Sequence, residues 1–168
     1  MMLLSLYIFR HLWPHFSWIP RHNAQHKPEY ETIEAFGPLL MNWSLDSIYQ
    51  LNELLNRAGM DTISAGNTVA WAIECYENGI LTKEQTDGLE QTWGNTEAIL
   101  ALVKKMIARE GFGDALADGV KRASARFGGK EYAMHVGGQE PGMHDARNDP
   151  QLGVHFVVVP AWRQEQNL

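Results

Sequence analysis

The stretch Leu51–Gly66, LNELLNRAGMDTISAG, reads as the end of one helix, a glycine turn carrying an aspartate, and the start of a second helix. Upstream, Ser44 suits the N-cap of LDSIYQLNELLNRA, because its hydroxyl can accept from the free N–H groups of a first turn. In that segment Leu45, Ile48, Leu51, Leu54, Leu55 and Ala58 recur at steps of three and four, which places them on one stripe. Gly59 follows where a helix commonly ends on a left-handed backbone. Downstream, Asp61 to Ser64 cap a helix predicted from about Ala65 to Asn78. Its inward residues are Val69, Ala72, Ile73 and Tyr76, and Gly79 ends it.

The same grammar repeats outward. EYETIEAFGPLL predicts a short helix stopped near Gly37 and Pro38. Thr82-Lys83-Glu84-Gln85 has the form of a capping box and predicts another short helix. Asn95 or Thr96 caps TEAILALVKKMIAREG, with Ile99, Leu102, Val103, Met106 and Ile107 inward and Gly111 at its end. GFGDALADGVKRASARFGG carries Ala115, Leu116, Val120, Ala123 and Phe127 on a stripe closed by Gly128 and Gly129. Four or five amphipathic helices with short Gly-capped links make the class mainly α. Little β structure is expected, near the C-terminus: an extended run at Tyr132–Val136 and a second in HFVVVPA, separated by a Gly/Pro/Asp/His loop. Long loops of this kind are often functional.

Three stretches follow from this reading: an atypical, disordered leader at 1–28, a helical domain at 29–130, and the start of a further, truncated domain at 131–168. The leader holds two of the six Trp, four of the seven His, and Pro14, Pro20 and Pro28. His11 and His15 are four apart and could share a helix face toward a metal, but Pro14 stands between them and no carboxylate or Cys is close in sequence. The apolar start is too short, and too interrupted by Arg10, His11, Pro14 and His15, to span a bilayer. It also lacks the basic start and small-residue cleavage site of a signal peptide, so a cytoplasmic chain is expected.

At 168 residues the chain is one domain or a piece of a larger one. Hydrophobic residues at 45% and charged residues at 20% allow a sizeable core. A net charge of -6, with no Lys/Arg cluster, argues against nucleic acid as a partner.

Few residues carry chemistry on their own pattern. The single Cys75 excludes an intrachain disulfide and a cluster ligated by several cysteines of this chain. It could be a nucleophile, but its helical spacing in WAIECYENG favours a buried thiol. Glu29, Glu31 and Glu34 form an acidic group at a helix start, where negative charge is favourable without any further role. Asp61 is a capping residue by the same logic, although a helix N-terminus after a glycine turn also offers N–H groups to an anion such as a cofactor phosphate. His135, His144, Asp145 and Arg147 share the long loop and could be acid and base, metal ligands, or parts of a turn. GxGxxG, P-loop and GxSxG motifs are absent.

Five segments stand together in a recognisable order: PEYET (Pro28–Thr32), NRAGMDTISAGNTVAWAIECYENG (Asn56–Gly79), WGN (Trp93–Asn95), REGFGDALADGV (Arg109–Val120) and AMHVGGQEPGMHDAR (Ala133–Arg147). In this order and spacing the chain resembles the tungsten-dependent aldehyde ferredoxin oxidoreductases over about Pro28 to Phe156. The resemblance implies a helical region following an N-terminal cofactor domain. It implies enzymes that hold tungsten, or molybdenum in some relatives, in two pterin dithiolenes beside a 4Fe–4S cluster, oxidise aldehydes to carboxylic acids and pass electrons to ferredoxin. The family's pterin-contacting motif, Asp-x-x-Gly-Leu-Asp or -Cys, reads here Asn56-Arg57-Ala58-Gly59-Met60-Asp61. Gly59 and Asp61 match, and Asn56 replaces the first Asp. The family glutamate near the metal falls on Glu31, with Glu29 as second choice. In that role it moves a proton or positions water.

The chain also departs from the pattern. The family's Cys-x-x-Cys-x-x-x-Cys run before PEYET is replaced by the His/Trp/Pro leader, and the match fades at Val159–Arg163. A truncated or frame-shifted piece of a longer enzyme, inactive alone and binding none of the cofactors by itself, is therefore expected. Two rivals remain. One is a non-catalytic helical scaffold that binds a partner oxidoreductase polypeptide. The other is a small metal enzyme using His135, His144 and Asp145.

Overall fold

A computed structural model describes residues 26–154, apart from 146, 149 and 152. Most of the 1–28 leader and the HFVVVPA run lie outside the described residues. Six α-helices are described: α1 Tyr30–Phe36, α2 Leu45–Ala58, α3 Thr62–Glu77, α4 Thr96–Ala108, α5 Phe112–Leu116 and α6 Val120–Phe127. Short 3-10 turns occupy Pro38–Leu40 and Lys130–Tyr132. The mainly α class is thus observed, and among the described residues the β content is one isolated antiparallel bridge, Val136 to Gln139. None of the described helices is long and apolar enough to cross a membrane.

The central pair follows the sequence closely. Ser44 caps α2 by accepting from the Ser47 N–H, and Gly59 closes it at φ 68. Asp61 caps α3 from the residue before Thr62, so that helix starts three residues earlier than expected. Only Met60 and Asp61 separate Gly59 from the first residue of α3. Helix α3 is the core of the molecule. It buries the expected Val69, Ala72, Ile73 and Cys75, and Thr68 and Trp71 besides, while Tyr76 is half-buried. It packs against α1, α2, α4 and α6. At the α1 crossing the backbones come very near: a Cβ on Gly66 would sit 2.7 Å from that of Ala35. At the far end Trp71 is buried and its Nε1 donates to the Gly129 carbonyl at 2.9 Å.

Asn42 joins three element ends. It is buried, and its Nδ2 donates to the Phe36 carbonyl at 3.0 Å and to Ser47 Oγ at 2.8 Å. Its Oδ1 accepts from the Ser44 N–H at 3.2 Å and from Thr96 Oγ1 at 2.8 Å. One side chain therefore fixes the end of α1 and the starts of α2 and α4.

Four sequence expectations are corrected. The Thr82–Gln85 box forms, with Thr82 N–H donating to Gln85 Oε1 at 2.9 Å, but no helix follows. The chain makes one turn and leaves through Asp87 at φ 54 and Gly88 at φ 80. Helix α4 ends on Arg109 at φ 52, not on Gly111, which instead precedes α5. The segment from Gly111 to Gly129 is two helices, because Gly119 adopts φ 86 and ψ 168, where helical hydrogen bonding cannot continue. The Tyr132–Val136 run is a 3-10 end followed by the isolated bridge, so no strand forms there.

Candidate functional site

Two of the five segments that carry the family resemblance meet through their threonines. Thr32 Oγ1, in the first turn of α1, lies 2.7 Å from Thr62 Oγ1 at the first residue of α3. Glu31 and Asp61 are the residues immediately before these two, so the hydrogen bond joins the two helix N-termini that carry them.

A cleft of about 510 Å³ opens at this junction. Its lining is His26, Lys27, Glu29 and Thr32 from the start of α1, Asn52, Asn56 and Arg57 from the last turns of α2, and Thr62 from α3. The α2 wall is pre-ordered. Asn56 Nδ2 donates to Asn52 Oδ1 at 3.0 Å, and Asn52 Nδ2 donates to the His26 carbonyl at 2.9 Å. Glu53 accepts from the His26 N–H at 3.2 Å and from Arg57. These donors, the His26 N–H first and then Arg57, hold its carboxyl below the usual carboxylate range.

Asn56 lines the cleft, while Gly59 and Asp61 form the corner beside it. A Cβ on Gly59 would meet no atom within 4 Å, so the turn is open on its outer face, and glycine is needed there only for its positive φ. Asp61 Oδ2 accepts from the Ser64 N–H at 2.7 Å and so serves as the helix cap that its position implies. Glu29 lines the cleft, whereas the Glu31 carboxylate faces the segment at 142–144. Its Oε1 lies 3.1 Å from His144 Nε2 and accepts from the Met143 N–H at 3.3 Å. The Tyr30 hydroxyl donates to the Met143 carbonyl, and its ring centroid lies 5.3 Å from that of His144. Burial, and then the nearby Glu34 carboxylate, push the Tyr30 phenol up to about 12.

The loop histidines are therefore divided. His144 pairs with Glu31, and Asp145 is held by Arg147, with Oδ2 to Nη2 at 2.7 Å. His135 Nδ1 is buried without a partner among the described residues. Among the described residues no three His, Cys, Asp or Glu side chains group to hold a metal. The pairing of Glu31 with His144 was invisible to local spacing, since 112 residues separate Glu31 from Met143. The only hint was that both segments carry the family resemblance.

The cleft fits one edge of a polar heterocycle. Amides, hydroxyls and two cationic side chains supply donors and acceptors. It does not fit an iron–sulfur cluster, which takes several thiolates, because the one cysteine is buried within α3.

The family model described as aldehyde ferredoxin oxidoreductase, domains 2 and 3, matches residues 15–161. The chain is 40% identical over 134 residues to a tungsten-containing aldehyde ferredoxin oxidoreductase of Pyrococcus abyssi, covering 78% of this chain and 22% of the relative. A protein of the same description from Pyrococcus furiosus is 40% identical over 121 residues, covering 71% of this chain and 20% of the relative. A further Pyrococcus furiosus protein, named aliphatic sulfonate oxidoreductase, WOR-like subunit, is 34% identical over 128 residues, covering 73% of this chain and 20% of its own length. The chain thus spans about a fifth of the length of the curated relatives it matches. The matched segment takes in both helix N-termini, the corner between them and the loop that reaches Glu31, and by this match the chain belongs to the aldehyde ferredoxin oxidoreductase family.

Proposed function

We propose that this chain is the helical part of a tungsten-dependent oxidoreductase that converts aldehydes to carboxylic acids and passes the electrons to ferredoxin. The observation that supports this reading is the Thr32–Thr62 hydrogen bond, which joins the start of α1, the helix that carries Glu31, to the start of α3 beside the Asn56–Asp61 corner. The names of the relatives supply the metal, the substrate class and the acceptor. All the relatives named above are oxidoreductases, which favours this reading over a non-catalytic scaffold.

In this reading Asn56 and the backbone around Gly59 and Asp61 hold one edge of a pterin. When bound, tungstopterin would supply the two-electron chemistry. Glu31 acts at the adjoining helix N-terminus, where its carboxylate takes up a proton or orients the water that adds to the aldehyde carbon. The cluster's thiolates come from sequence other than this chain, so the chain alone is inactive and holds neither cofactor. The compartment is the cytoplasm.

Two measurements test this. Elemental analysis of the purified chain should find neither tungsten nor iron at stoichiometric level, and either metal at one or more atoms per chain would overturn the division of labour. Combined with a cofactor domain and cluster-binding segment, the chain should support aldehyde-dependent reduction of an electron-acceptor dye. Glu31→Gln should lower that rate by roughly a hundredfold or more, the range expected for loss of a general acid–base group. An unchanged rate would remove Glu31 from the reaction.

A further inference from the structure

Building on the reading of Glu31 as the proton-handling carboxylate, we propose that His144 is a positioning residue that fixes this carboxylate from the opposite side of the chain. Two groups of the 139–144 segment meet the same oxygen: His144 Nε2 lies 3.1 Å from Glu31 Oε1, and the Met143 N–H donates to it at 3.3 Å. The other oxygen, Oε2, takes neither contact and is the one that exchanges a proton. A carboxylate held through one oxygen keeps its second oxygen in a fixed direction, and such orientation is what a general acid–base group needs.

The segment that brings His144 is itself anchored at successive points. The buried Glu140 accepts from the Val120 N–H at 2.7 Å, tying the segment to α6. The Pro141 carbonyl accepts from Asn67 Nδ2 at 3.2 Å, tying it to α3. Gly142 passes so close to α1 that a Cβ there would sit 3.0 Å from Glu31 Oε1. The Met143 carbonyl then accepts from the Tyr30 hydroxyl, whose ring flanks the imidazole. His144 therefore reaches Glu31 on a strap fixed to three helices.

The pair lies at the protein surface. The His144 side chain is 45% exposed, and pairs of that exposure add little to stability. A positioning role therefore predicts a loss of turnover without a loss of stability.

The test uses the assembled enzyme of the preceding section together with the full chain alone. In the assembled enzyme His144→Ala should lower kcat for aldehyde oxidation roughly ten- to a hundredfold, with KM and the unfolding midpoint unchanged. His144→Gln keeps a donor and should recover most of that loss. In the full chain, slow amide exchange at Met143 should be released by Glu31→Ala, which also shifts the ring nitrogen resonances of His144. Wild-type turnover matched by His144→Ala, equal impairment by Ala and Gln, or Met143 exchange indifferent to Glu31→Ala would overturn the proposal and leave the function standing. An assembled wild type that oxidises no aldehyde would overturn the function itself, and the positioning role with it.

Discussion

The carboxylate of Glu140 accepts the backbone N–H of Val120 at 2.7 Å, so the N-terminus of α6 is capped by a side chain from a separate segment. Thr68 Oγ1 lies 3.5 Å from the same oxygen, and the group is buried. Gly119, at φ 86, leaves the helix start without a side-chain cap of its own. Removing the remote cap exposes a buried donor to no partner. Glu140→Ala should lower stability by about 1–3 kcal/mol, read as a shift in the urea midpoint at unchanged m. Glu140→Gln keeps an acceptor oxygen and should cost less.

Gly66 is a steric requirement. Alanine is the better helix former, and in an exposed helix interior the exchange would stabilise. Here the new Cβ would fall 2.7 Å from Ala35 Cβ and 3.0 Å from the Ala35 carbonyl oxygen, and both belong to the packed α1. Overpacking wins, and Gly66→Ala should destabilise by about 1–3 kcal/mol. Thermal melts of the wild type and the variant check the sign as well as the size.

Cys75 should be inert in the folded chain. Burial first, and then the Glu131 and Glu74 carboxylates, push its thiol up to about 12. Thiol-specific reagents at pH 8 should label it only after denaturant is added. The raised value also sets a sign. The folded state holds this proton to higher pH than the unfolded chain does, so its contribution is intact below the ordinary thiol range. It is lost as pH climbs from there toward 12. Cys75→Ala should flatten the alkaline limb of the stability curve, measured by urea titration across that range.

Asp87 should govern part of the acid limb. Its Oδ2 accepts from Lys105 Nζ and from the Phe112 N–H, both at 2.8 Å. These two donors, Lys105 first, hold its carboxyl below the ordinary carboxylate range. A depressed value means that the folded state binds the proton less well than the unfolded chain. Its stabilisation is therefore present above the ordinary range and is lost as pH falls through the lowered one. Asp87→Ala should lower the urea midpoint at neutral pH and lessen the further loss seen on acidification.

The helices were legible wherever a cap and a stripe agreed locally. From Ser44 to Gly59 every signal lies within one turn of the residue it affects, and α2 matches the reading at both ends. The errors fall where a distant partner decides. The Thr82–Gln85 box could not disclose that Asp87 turns away to meet Phe112, 25 residues on. The stripe through Ala115 and Val120 could not disclose a break at Gly119 capped by Glu140. Asn42 carried no sequence signal at all, yet three elements close on it. The same limit applies to the candidate site. Its corner was readable from Asn56 to Asp61, whereas the partner of Glu31 lies far along the chain and is found only in the folded form.

The brevity of the link between α2 and α3 has an electrostatic consequence. Gly59 closes one helix and Asp61 opens the next, so the carbonyl pole of α2 and the amide pole of α3 stand almost back to back. At a distance the two partial charges offset each other, and an incoming ion feels little pull. At contact they act separately, presenting acceptors on one side of the corner and donors on the other. A molecule docking there is sorted by the order of donors and acceptors along its edge.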